Sequence, residues 1–168
     1  MEGLERLNSL PETRAREELL KCCGSTHWAE RMARERPFRD ARDLTQKADR
    51  VWWGLGREDW LEAFAAHPRI GDREALRARF ASTRDWASAE QAGASSAPEA
   101  VLEALAEGNR AYEARFGHIF IVCATGRPAE GMLEALKARL ANEPAAELRV
   151  TAGEQAKITH LRLERLLK

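Results

Sequence analysis

The 168-residue chain has no surplus of either charge, since 27 Lys and Arg face 27 Asp and Glu. That removes the basic excess on which non-specific nucleic-acid binding depends, so no nucleic-acid partner is expected. The longest near-continuous apolar run, residues 119–124, is far too short to cross a bilayer. Three cysteines, Cys22, Cys23 and Cys123, form no CxxC pair, and the adjacent two cannot easily bridge to each other. All three read as reduced thiols of a cytoplasmic protein. Four histidines, His27, His67, His118 and His160, are scattered, with neither HExxH nor Cys/His spacing. No metal site is therefore expected. There is no glycine-rich phosphate loop either, because Gly54 and Gly56 are isolated and follow no strand-like run. The N-terminal residues do not read as a secretory leader, nor the last three as a peroxisomal address. No repeat or long linker divides the chain, so a single domain over 1–168 is expected.

What is present reads as a series of eight or nine short helices, an all-α bundle. Ser9-Leu10-Pro11-Glu12 has the form of a capping box, with a helix following to about Cys22. Helices are predicted from Thr26 towards Pro37 and after Asp40, where Leu44, Ala48, Val51 and Trp52 make one stripe. Another ends at His67, two short ones occupy 72–80 and 86–91, and Ser96-Ala-Pro-Glu caps one that stops at Gly117. In that helix Val101, Leu105, Asn109, Tyr112 and Phe116 share a side. Pro128 to Leu140 is amphipathic, and the last helix follows Asn142-Glu143-Pro144. Ile119-Phe-Ile-Val-Cys is the strand-like exception. With too few companions for a sheet, it is expected as an extended buried segment, with a two-strand pairing or a helix start as alternatives.

The chemistry concentrates at His67. Trp60, Ala63, Phe64 and His67 fall on one helical face, and Pro68 disfavours helical geometry at the residue before it. His67 therefore stands at a helix C-terminus, where carbonyl dipoles favour an imidazolium. It suits either a proton donor or a plain helix cap. Arg162 falls on the last helix's stripe with Leu148, Thr151, Gln155, Ile158 and Leu166. A guanidinium there needs an anion, from a protein carboxylate or from a ligand's. Glu90-Gln91 places a carboxylate beside a carboxamide, heads that match the alternating N–H and C=O edge of a ureide but that also occur on solvated surfaces. Together these groups suit acid–base work, without a cofactor, on a small anionic heterocycle.

His67-Pro-Arg-Ile-Gly-Asp, Glu90-Gln91-Ala-Gly, Phe116-Gly-His-Ile-Phe-Ile-Val-Cys and Ala156-Lys-Ile-Thr-His-Leu-Arg-Leu resemble the OHCU decarboxylase family. OHCU is 2-oxo-4-hydroxy-4-carboxy-5-ureidoimidazoline, the last intermediate between urate and allantoin. Asn8-Ser-Leu-Pro, Cys22-Cys-Gly-Ser with Trp28, and Arg36-Pro-Phe extend the resemblance over nearly the whole chain. It implies an all-helical homodimer, without a cofactor, that converts OHCU to S-allantoin. By the same resemblance His67 is the proton donor and Pro68 touches substrate. Glu90 and Gln91 bind the ring and ureido groups. The backbone of Phe120, Ile121, Val122, Cys123 and Ala124 holds the ureide, and Arg162 stands at the carboxylate end. Where the family often has serine three residues before the glutamate, this chain has Ala87, with Ser88 next to it. His118 takes a place often held by phenylalanine. The competing expectations are a silent helical interaction domain and an enzyme of another ureide, such as an allantoin isomerase.

Overall fold

The computed structural model describes residues 2–67, 99–123 and 128–168. Those residues form eight helices, α1 (Glu2–Ser9), α2 (Glu12–Leu20), α3 (Thr26–Arg34), α4 (Ala41–Trp53), α5 (Arg57–Ala65), α6 (Glu99–Phe116), α7 (Ala129–Leu140) and α8 (Pro144–Leu166), and no strand. The helices expected at 72–80 and 86–91 and the Ser96 cap lie outside the described residues. The chain divides into two compact units. The first contains α1 to α5 and α8 from Ala152 onward; the second contains α6, α7 and the first turns of α8.

Local signals account for most helix ends. Ser25 caps α3 by accepting from the Trp28 N–H at 3.2 Å, and Asp40 caps α4 by accepting from the Asp43 N–H at 2.7 Å. Gly117 ends α6 at φ +78°, in the left-handed region that glycine enters without strain. The Ser9 capping box does not form. Helix α1, which the sequence did not announce, ends at Ser9, and the Ser9 hydroxyl donates back to the Glu5 carbonyl at 2.7 Å. Pro11 stands at the α2 N-cap with no side-chain bond.

Tryptophans hold the first unit together. Trp28 on α3 donates its indole N–H to the Ala48 carbonyl of α4 at 3.1 Å. Trp60 on α5 donates to the Trp52 carbonyl of α4, and Trp52 to the Ala152 carbonyl of α8, each at 3.0 Å. Each buried indole thus contributes a large apolar area and also fixes one helix against another. Leu7, Leu19, Met32, Leu44 and Phe64 fill the space between. Two motif pieces meet here: Asn8 exchanges hydrogen bonds with the Phe38 backbone at 3.0 and 2.8 Å. Arg36 donates to the carbonyls of Leu7, Leu10 and Ala33 at 2.6–2.9 Å. Asn8 and Arg36 therefore serve the fold. In the second unit Leu102, Leu105, Tyr112 and Phe116 of α6 pack with Met132 and Leu136 of α7.

Candidate active site

His67 lies just beyond α5, half-buried, its backbone N–H donating to the Phe64 carbonyl at 3.1 Å. The helix end read from Pro68 is therefore where the chain places it, among the last carbonyls of α5. The ring reaches across to α8, where Nε2 meets the Gln155 Oε1 at 2.5 Å. Trp60 and Trp52 make that meeting reproducible, since they fasten α5 to α4 and α4 to α8. Fully buried Gln155 donates from Nε2 to the Thr159 hydroxyl at 3.0 Å. Thr159 is in turn bonded to the Cys23 thiol. Burial pushes the Cys22 and Cys23 thiols up to about 11, so both stay protonated near neutrality. Gly24 lets their turn close on α5: a Cβ there would lie 2.4 Å from the Ala66 Cβ.

The buried line of α8 differs from the expected stripe by about one residue. Thr151, Ala152, Gln155, Thr159 and Leu163 are buried, whereas Leu148, Ile158, Arg162 and Leu166 are half-buried. Arg162 thus stands at the rim of the buried face. It follows Gln155 by two helical turns, about 10 Å along the axis. Its Nη1 donates to the Lys21 carbonyl at 3.5 Å, the long limit of a hydrogen bond. The guanidinium also faces the two thiols electrostatically. Of the expected catalytic residues, His67 and Arg162 are brought to the same helix. Glu90 lies outside the described residues, as do Pro68, Ala87, Ser88, Gln91 and Ala124.

Phe120, Ile121, Val122 and Cys123 belong to the second unit. They lie outside any helix or strand, and the first three are buried. Phe120 and Val122 enter the α6–α7 core. Sequence reasoning missed what holds this segment. Arg139 of α7 donates from Nη1 to the Ile121 carbonyl at 2.7 Å, and its guanidinium lies 4.6 Å from the Phe120 ring centre. Its remaining donors go to Glu147 (2.8 Å from Nε, 2.6 Å from Nη2) and to Thr151 (3.1 Å). Tyr112 donates a short hydrogen bond to the same carboxylate, and Asn142 adds another at 3.0 Å. Burial alone would raise the Glu147 carboxyl, but these donors hold it below its ordinary value. Burial and the neighbouring carboxylate push the Tyr112 phenol well up. The available signal was Arg139 itself, a charge three residues after Leu136 where the apolar row of α7 continues.

The sequence model of the OHCU decarboxylase family matches residues 8–164. The chain belongs to that family. The uric acid degradation bifunctional protein TTL of Arabidopsis thaliana is 38% identical over 146 residues, covering 86% of this chain and 45% of the plant protein. The 2-oxo-4-hydroxy-4-carboxy-5-ureidoimidazoline decarboxylase of Haloferax volcanii is 28% identical, over 80% of this chain and 77% of its own. A crystal structure of OHCU decarboxylase in the presence of (S)-allantoin is 37% identical and superposes with a TM-score of 0.74, covering 90% of this chain and 97% of that one. The chain spans about half the length, or less, of the bifunctional relatives from Arabidopsis and Bacillus subtilis. Among the described residues no helix is long and apolar enough to cross a membrane.

Proposed function

We propose that this protein decarboxylates OHCU to S-allantoin, with His67 as proton donor. The observation that carries the reading is the placement of His67 at the end of α5, hydrogen-bonded to α8, in a member of the OHCU decarboxylase family. Loss of carbon dioxide leaves an electron pair that settles on the ring and then takes a proton at one carbon. The carbonyl end of α5 favours the imidazolium that would supply it. A ring fixed at one nitrogen delivers its proton to one face of the intermediate, and that sets the chirality. Arg162 would hold the departing carboxylate, Glu90 and Gln91 the ring and ureido groups with Pro68, Ala87 and Ser88 beside them, and the 120–124 backbone the ureide. Arg139 supports the last role, because it fixes the Ile121 carbonyl while Phe120 and Val122 stay in the core. The proposal invokes no cofactor, treats 1–168 as one functional domain and places the working homodimer in the cytoplasm.

The test is circular dichroism during urate breakdown, with OHCU generated in the cuvette by uricase and the hydrolase that follows it. A rapid rise of the S-allantoin signal over the control is the expected result. A trace identical to the protein-free control would overturn the proposal.

A further inference from the structure

We infer that Gln155 is a positioning residue that fixes which nitrogen of His67 gives up its proton. The inference rests on the reading of His67 as the acid. Its observation is the chain of side chains His67, Gln155 and Thr159, with links of 2.5 and 3.0 Å, ending at the Cys23 thiol. The direction of the chain follows from what each group can do. The Gln155 amide nitrogen donates to the Thr159 oxygen, which leaves the amide oxygen for His67. A carboxamide oxygen only accepts, so His67 Nε2 must carry hydrogen in both protonation states. The proton that comes and goes is then the one on Nδ1. In turnover the Nδ1–H bond breaks and its proton passes to the ring carbon that bears the ureido group. The neighbouring carbon that lost carbon dioxide keeps its oxygen as the ring carbonyl, the hydroxyl proton goes to the ring nitrogen, and the imidazole is left neutral with Nε2–H intact.

Position makes this more than a packing contact. Gln155 is fully buried, and the helix that carries it is fastened by the Trp52 indole three residues earlier, at Ala152. A neutral amide holds the tautomer without adding a charge that would bind the imidazolium tightly. A carboxylate at the same place would hold it too, but would make it a weaker acid.

The variants are Gln155→Glu and Gln155→Leu, with nitrogen-15 NMR of the imidazole and the pH dependence of OHCU turnover as readouts. In the parent the neutral His67 ring is expected to carry hydrogen on Nε2. Gln155→Glu should keep that pattern and move the alkaline limb of kcat to higher pH. Gln155→Leu should mix the tautomers and lower kcat about tenfold with KM within twofold. A parental ring that carries its hydrogen on Nδ1, or a Gln155→Leu variant with parental tautomer and pH profile, would overturn the inference. Parental turnover in His67→Ala, with the tautomer still locked in the parent, would instead remove the catalytic reading on which the inference rests.

Discussion

The two units each bury a polar cluster along α8, and the clusters are built differently. In the second unit Arg139 and Glu147 form a paired charge, and Tyr112, Thr151, Asn142 and the Ile121 carbonyl use the surrounding hydrogen-bonding capacity. In the first unit the links are neutral, amide to hydroxyl to thiol, and they begin at an imidazole. A saturated ion pair is good at holding backbone still. A neutral chain ending at a titratable ring holds one nitrogen while the other changes its charge. The contrast assigns support to one cluster and proton chemistry to the other.

The largest effect should come from breaking the imidazole end. His67→Ala should lower S-selective turnover by roughly 10²–10⁴, the usual worth of a general acid, with the thermal midpoint nearly unchanged. The opposite pattern is expected at the ion pair. Glu147→Ala leaves the Arg139 charge buried, so urea unfolding should show a loss of about 3–5 kcal/mol. An acid titration separates the clusters further. Glu147 is held low in the folded state, so its contribution is fully present above the ordinary carboxylate range and is lost as pH falls through the folded value. Asp43, held at about 2 first by the Arg39 N–H and then by the Arg39 side chain, acts in the same sense. The thermal midpoint should therefore fall with acid below about pH 4, and Glu147→Gln should flatten that slope. The smallest effect is a control outside both clusters. Asp40→Ala removes the α4 cap and should cost about 1 kcal/mol by urea unfolding, with turnover unaffected.

How much was legible follows from what each signal depends on. Leu44, Ala48, Val51 and Trp52 were readable because one helix's period fixes which side is buried. The end of α5 at His67 was readable because Pro68 acts on its immediate neighbour. That Phe120, Ile121 and Val122 would be buried without joining a helix or sheet was readable from their apolar run and the lack of companions. The capping box at Ser9 failed because a helix already occupied the residues before it, and the hydroxyl found a carbonyl there. Gln155 was legible as a stripe member, but its partner is 88 residues away, and no local period shows a tertiary hydrogen bond. The same holds for Tyr112, Arg139 and Glu147, three separate positions whose meaning comes only from their meeting.

Helix α8 carries both clusters, with Glu147 and Thr151 before Gln155 and Thr159. Each residue of an α-helix turns the chain by about 100°. A single deletion between Ala152 and Gln155 would leave the Trp52 bond in place and swing Gln155 away from His67. This helix can change many of its letters over evolutionary time, but not the count of residues between Ala152, held by Trp52, and Gln155.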